Sequence, residues 1–359
     1  MSLTLKTKDF LKVVNQLSKV KVNKILEISR YWHIFGTGEE VTFTAYDGSN
    51  FMRVIVESDA EIDVMVKAEQ LSKLIEKTTT EEITLTVKDS SLEVKGNGKY
   101  YVEIVTEDEA YPSYEEYLPE DIAELDPLDV STKVFSDIAN INSSAVSKSN
   151  ADGIYTCYLI KNNKAVTTDI IKVCISDTLD FGQDLLISSE LMDLLASIED
   201  DELYVWILER GLYVTSATTE LYGPLHEGIE EYVDVNQIKQ NTFDTEVELP
   251  TVNVQNVIDR LSLVMKEFDK NTVKLSFTKK GVQFSTKAGS NELVPFAKPV
   301  QDIEAFVCLL NSSFLRDILA TVNTQSFSLV YGNDSAIGIK TATAEYYLAL
   351  QEEDEEGSF

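Results

Sequence analysis

Residues that usually carry chemistry are scarce in this 359-residue chain. There are two histidines, His33 and His226, and three cysteines, Cys157, Cys174 and Cys308. No CxxC pair occurs, and neither histidine stands at a ligand spacing from a second His or from Cys, which excludes the usual zinc patterns. Each cysteine sits in an apolar stretch, so all three read as buried free thiols of a reducing compartment. There is no Walker A sequence and no nucleophile elbow. Gly36-Thr37-Gly38 and Gly96-Asn97-Gly98 read by context as hairpin turns rather than phosphate cradles. No catalytic residue, metal or cofactor is expected, although a hydrolase with a dispersed site stays open as a competing class.

Long apolar runs are also missing. None approaches the roughly 18 residues that span a bilayer, and the opening Met1 to Lys6 lacks a signal-peptide layout. A cytoplasmic protein with no membrane partner is the expectation. Positive charge is the third shortage: 31 Lys+Arg stand against 61 Asp+Glu, a net charge of −30. That disfavours a histone-like or repressor-like DNA binder, which attracts phosphate with a net basic surface. The acidic clusters Glu107-Asp108-Glu109, Glu115-Glu116, Asp200-Asp201-Glu202, Glu230-Glu231 and Glu352 to Glu356 fall in expected linkers and turns. They read as solvated charge rather than as Mg²⁺ sites. Disorder is excluded for most of the chain, because 43% of it is hydrophobic.

What is present is internal repetition. Three amphipathic helices begin near residues 68, 188 and 311, each followed by alternating strands. Apolar residues three and four apart, as at Leu71, Leu74 and Ile75, give each helix one buried face, and Ser188 or Ser189 and Asn311 are plausible N-caps. A second set of helices, Lys8 to Lys19, Ser131 to Ser147 and Thr251 to Phe268, opens each unit. The strand ends before Asp47 and Asp169 repeat at a separation of 122 residues. The reading is an α+β chain of three domains, 1–122, 123–244 and 245–359, the last ending in an acidic tail. Each domain has two helices packed on two small antiparallel sheets. Tyr100, Tyr101, Trp206 and Tyr213 lie in strands and read as sheet packing. If the sheets join edge to edge, the chain forms half of a six-domain ring that dimerisation closes.

The charge is polarised along the same lines. Lysines gather on or beside the expected helices, and acids gather in linkers and the tail. Lys8, Lys12, Lys19, Lys21, Lys24, Lys73, Lys133, Lys148, Arg260, Lys266 and Arg316 are the candidates for a basic lining that holds duplex DNA loosely and without sequence choice.

Four stretches carry a resemblance. Val66 to Ile75, running into Glu82 to Leu85 and Leu92 to Lys95, is the first; Glu109-Ala110-Tyr111-Pro112 is the second. The others are Ala165-Val166-Thr167-Thr168-Asp169 and Leu310 to Leu319. In order and spacing the chain resembles the bacterial-type DNA sliding clamp, the beta subunit of DNA polymerase III. The resemblance implies a head-to-tail homodimer that encircles duplex DNA as a processivity factor, with a DNA polymerase and a clamp loader as further partners. It implies a partner-peptide pocket at Thr168, Ile170, Ile171, Lys172, Val173, Asn311, Phe314, Ile337, Tyr347, Leu348, Ala349 and Leu350. By position it implies a dimer interface at Tyr101, Ile104, Val264 and Met265. Three departures stand out: Ile170-Ile171-Lys172-Val173 follows Asp169 where the family has G-H-R-L, Phe314 replaces a Tyr, and Leu348-Ala349-Leu350 replaces the M-P-M-R-L ending. They are consistent with a divergent lineage, a phage-encoded one among them. The competing non-enzymatic class is an acidic DNA mimic or scaffold, which would have neither lysine lining nor ring.

Overall fold

The computed structural model describes residues 2–105, 110–234, 243–265, 271–300, 303, 305–332 and 335–352. One order of elements runs through it three times. The first run is β1 (Ser2–Lys6), α1 (Thr7–Leu17), β2 (Tyr31–Thr37), β3 (Glu40–Tyr46), β4 (Phe51–Glu57), β5 (Glu61–Lys67), α2 (Ala68–Glu76), β6 (Glu82–Lys88), β7 (Ser91–Lys95) and β8 (Lys99–Glu103). The second is β9 (Leu128–Ser131), α3 (Thr132–Asn142), β10 (Cys157–Lys161), β11 (Lys164–Thr168), β12 (Lys172–Asp177), β13 (Leu185–Ser188), α4 (Ser189–Leu195), β14 (Glu202–Ile207), β15 (Gly211–Thr215) and β16 (Thr219–Pro224). The third is β17 (Thr245–Pro250), α5 (Thr251–Ser262), β18 (Thr272–Thr278), β19 (Gly281–Ser285), β20 (Asn291–Val294), β21 (Val307–Asn311), α6 (Ser312–Thr321), β22 (Ser326–Tyr331), β23 (Ala336–Lys340) and β24 (Ala344–Ala349).

The helices follow the expected spacing. Helix α1 buries Phe10, Val13, Val14 and Leu17, and α2 buries Ala68, Leu71 and Ile75. Two caps form as the sequence indicated. The Leu191 amide donates to Ser188 Oγ at 3.1 Å, and the Ser313 amide donates to Asn311 Oδ1 at 3.0 Å. Helix α3 stops short of Ser147, because Ser143–Ala145 tightens into a 3₁₀ turn. Its last residue, Asn142, is fully buried and tied to the strands beside it. Its Nδ2 donates to the Ala165 carbonyl at 3.0 Å and its Oδ1 accepts from Ser176 Oγ at 2.6 Å. Helix α5 ends at Ser262, and residues 266–270 of its expected extension lie outside the described residues. Gly36 lies inside β2, so only Gly38 of that pair reaches the hairpin turn.

Each run contributes two groups of four strands, and the groups do not stay separate. The sheets are β1-β6-β7-β8, β20-β19-β18-β21, and two eight-stranded sheets, β5-β2-β3-β4-β16-β15-β14-β9 and β13-β10-β11-β12-β24-β23-β22-β17. The two groups of each run are the two small antiparallel sheets expected, and four of the six groups join edge to edge into the eight-stranded sheets. The fourth strand of one run pairs with the last strand of the next, β4 with β16 and β12 with β24, both antiparallel. The chain forms two compact units, residues 1–137 with 187–226 and residues 138–186 with 227–359, so the second run is shared between them.

In the first unit the β4–β16 junction is pinned by Arg53. Its Nη1 donates to Glu220 at 3.0 Å and to the Tyr114 hydroxyl at 2.8 Å, and its Nη2 donates to Glu115 at 2.7 Å. Tyr114 in turn donates to Glu220. Phe51, Tyr114, Tyr213 and Tyr222 form the buried cluster under this network. In the second unit a core of both sheets and both helices of the third run is buried. It includes Val254, Ile258, Val273, Phe284, Leu315, Ile318 and Ile337. Each large apolar side chain so buried contributes about 1.5–3 kcal/mol. Cys157, Cys174 and Cys308 are all buried free thiols.

Packing at the first junction is tight enough to test. A Cβ on Gly223 would lie 2.4 Å from Leu191 Cδ1 and 2.6 Å from Asn50 Oδ1. Gly223→Ala should destabilise the protein by about 1–3 kcal/mol, read as a lowered midpoint in thermal unfolding.

Candidate functional site

The residues after Thr168 form a tight turn in the second unit. Asp169 Oδ1 accepts from the amides of Ile171 at 3.1 Å and Lys172 at 2.7 Å, and Lys172 Nζ lies 3.2 Å from Asp169 Oδ2. Thr168 Oγ1 donates to the Lys172 carbonyl at 2.8 Å and accepts from the Ile170 amide at 2.9 Å. The same turn occurs 122 residues earlier, where Asp47 Oδ1 accepts from the amides of Ser49 at 2.9 Å and Asn50 at 2.7 Å. Of the residues that differ between the two copies, the one after the aspartate sets the backbone apart. Gly48 takes the left-handed conformation at φ 107° in the first; in the second, Ile170 takes it at φ 75°. A β-branched residue is strained there, and Ile170 is also 70% exposed. Strain of this kind collects at functional sites.

Around this turn the structure brings the predicted pocket residues together. Val173 pairs with both Thr168 and Tyr347, Lys172 with Leu348, and Ile337 with Leu348. The Ala349 amide donates to the Ile171 carbonyl at 2.9 Å, and the Leu350 amide donates to the Ser335 carbonyl at 2.9 Å. From α6, Phe314 places its ring under Lys172, with Nζ 4.5 Å from the ring centroid. The buried ammonium thus sits between a carboxylate and an aromatic face. The residues play different parts. Thr168, Lys172, Val173, Ile337, Tyr347 and Leu348 are buried and build the floor, whereas Ile170 and Ile171 are exposed. Phe314 and Leu350 are half-buried against the core. The Asn311 side chain is occupied in capping α6. Sequence reasoning missed the continuation beyond Leu350, a groove of about 230 Å³ with Phe306 to Leu309 on one side and Leu350 to Glu352 on the other. Burial pushes the Cys308 thiol in its wall up to about 12, so that sulfur stays protonated and inert near neutral pH.

No family model and no curated sequence matches the chain. Solved structures do. The DNA polymerase sliding clamp from Bacillus subtilis matches with a TM-score of 0.83 at 18% identity, over 99% of this chain and 100% of that one. The DNA polymerase III subunit beta from Borrelia burgdorferi, solved with a natural product, matches with a TM-score of 0.83 at 12% identity and the same coverage. The Helicobacter pylori beta clamp, solved with a DNA ligase peptide, matches with a TM-score of 0.79 at 15% identity over 98% of this chain and 100% of that one. This chain has the sliding-clamp fold.

Within that fold the basic residues divide by their partners. Lys8, Lys12 and Lys19 share the exposed face of α1 and its end, and Lys24 is exposed in the loop beyond. Residues 1–30 hold seven Lys and Arg against two Asp and Glu, the reverse of the chain as a whole. Lys133 is likewise exposed in the first unit, and Lys148 and Arg316 are exposed in the second. Lys21, Lys73 and Arg260 already face carboxylates. Lys21 lies 3.7 Å from Asp193, Lys73 lies 2.5 Å from Glu69, and Arg260 grips Glu292 with two bonds of 3.0 and 2.5 Å. Lys266 lies outside the described residues. Asp200 is not a solvated charge as expected, because its Oδ2 accepts from Ser216 Oγ, the Thr218 amide and Thr218 Oγ1. Among the described residues no group of three or more His, Cys, Asp or Glu gathers as a metal site, and no helix is long and apolar enough to cross a membrane.

Of the strands at sheet edges, β8 in the first unit and β20 in the second are the two left without the kind of partner that joins β4 to β16 and β12 to β24. Tyr101 projects from β8 and is 63% exposed, so Tyr100 and Tyr101 do not pack on their sheet as expected; Trp206 and Tyr213 do, at 5.4 Å between rings. Ile104 bridges back to Val66. Val264 is exposed, but Met265 is half-buried against the core and accepts from Ser312 Oγ at 3.5 Å. In the third run the strand left without such a partner is β20, with Leu293 exposed on it, a strand the sequence reading did not select. Pairing order, which only the fold supplies, is the signal that finds it.

The strained turn gives a test. Ile170→Gly should relieve the left-handed strain and stabilise the protein by about 1 kcal/mol, a rise of about 2–4 °C in the thermal midpoint.

Proposed function

We propose that this chain is a DNA polymerase processivity factor, a homodimeric sliding clamp of three domains per protomer at 1–122, 123–244 and 245–359. It encircles duplex DNA without sequence choice and tethers a polymerase and other clients through the site around Ile170, Phe314 and Leu350. A loader opens the ring, and the protein performs no catalytic step. A clamp of this kind works in the cytoplasm.

The observation that carries this reading is the pair of open edges. Within the chain the fourth strand of each run is satisfied by the last strand of the run after it. Two members of that scheme are left over, β8, the last strand of the first run, and β20, the fourth strand of the third. A second copy offers the missing partner for both, and head-to-tail pairing of this kind closes with neither of these two edges left unpaired. Tyr101 on β8 and Leu293 on β20 supply apolar contact there, with Val264 close in sequence to the helix end. Lysines of α1 and its following loop then supply loose phosphate contacts, while the net charge of −30 keeps DNA from the outer surface. A tether to a topologically trapped ring holds the polymerase at a high effective concentration. The Helicobacter pylori clamp, solved with a ligase peptide, supports a peptide site on this fold.

Native mass should give a dimer, and the loaded protein should remain on nicked circular DNA and leave linear DNA by its ends. Equal retention on both, or a monomer, overturns the reading. Replacing Lys8, Lys12 and Lys19 with Glu should weaken non-specific duplex binding and lower its salt slope by about one per lysine. Leu350→Asp should abolish binding of a client polymerase tail while native mass still gives a dimer.

A further inference from the structure

The groove that continues past Leu350 has a composition of its own. One wall is the outer strand β21 with Phe306 before it, and Val307 there is 53% exposed. The facing wall is Leu350, Gln351 and Glu352, held in place where the Gln351 amide donates to the Leu309 carbonyl at 2.9 Å. Gln351 Oε1 is buried and accepts no hydrogen bond among the described residues. Glu352 is exposed at the lip and has no cation within ion-pair distance among the described residues. It is the first of five consecutive acids, Glu352 to Glu356. The groove therefore joins an apolar wall, an unsatisfied acceptor and the carboxylate of Glu352 at its lip, and it opens directly from the Leu350 end of the peptide site.

We propose that this groove receives the basic flank of an extended client peptide whose apolar residues occupy the site around Phe314 and Leu350. The inference rests on the peptide-site reading above and adds a selection rule to it. An apolar anchor alone discriminates weakly among clients. A Lys or Arg beyond it can pair with Glu352 and donate to Gln351 Oε1, whereas an acidic flank meets like charge. Glu352 is exposed, so the effect is one that salt screens.

Three fluorescein-labelled peptides with a common apolar core of leucine and phenylalanine, flanked by three lysines, three serines or three glutamates, test this by anisotropy on the full-length protein. At low salt the lysine-flanked peptide should bind about tenfold tighter than the glutamate-flanked one, a difference of about 1.4 kcal/mol, and the gap should shrink at high salt. Glu352→Lys, and separately a chain ending at Gln351, should erase the preference while leaving serine-flanked binding unchanged; an unchanged thermal midpoint shows that both variants fold. Equal binding of all three peptides overturns the selection rule and leaves the peptide site standing. A preference that survives both variants overturns it equally. If the serine-flanked peptide and its companions all fail to bind, the peptide-site reading falls and this inference falls with it.

Discussion

An unpaired strand edge is the constraint on which this structure turns. A four-stranded antiparallel group has two edges, each with a row of backbone donors and acceptors to satisfy. Here four of the six groups are joined in pairs across runs, through β4 with β16 and β12 with β24. The two junctions are then where side chains from different runs first meet, and both acquire specialised chemistry. At the first, Arg53, Glu220, Glu115 and Tyr114 make a satisfied polar knot over an aromatic cluster. At the second, Lys172 is held between Asp169 and Phe314, beside an exposed and strained Ile170.

That contrast separates scaffold from site. The same Asp-led turn precedes each junction strand, yet the first copy relaxes through Gly48 while the second carries strain at Ile170. At the first junction Leu191 packs onto Gly223 and Asn50, with no room even for a methyl group. At the second, the half-buried Phe314 and Leu350 and the groove beyond them remain accessible. Duplication supplied two copies of one corner, and the second is the one proposed to receive a client peptide.

Electrostatics follows a similar division. The chain is strongly acidic, but its first 30 residues are basic, and the lysines on the outer face of α1 lack carboxylate partners among the described residues. Arg260 and Lys73 show that a lysine or arginine on a helix is not by itself available to phosphate, since each is already answered by a nearby glutamate. A proposed clamp needs weak and replaceable contacts, and a small group of unpaired lysines in a repelling background meets that need.

Much was legible in the sequence because it depends on local periodicity. The helix positions, the caps at Ser188 and Asn311, the period of about 120 residues and the buried thiols all follow from spacing within a few turns or strands. Residues gathered around the second junction could be named because the stretches Ala165 to Asp169 and Leu310 to Leu319 carry the resemblance to the sliding clamp that implies them. Tertiary structure alone decided the rest. Which strand pairs with which, and so which edges remain open, is fixed by contacts between residues more than a hundred positions apart, as between Lys172 and Leu348. The edge left unpartnered at β20, the carboxylate partners that occupy Arg260 and Lys73, and the groove beyond Leu350 depend on where side chains arrive after that pairing. Periodicity carries no information about that arrival, because it records only which face of each element is apolar and not what that face will meet.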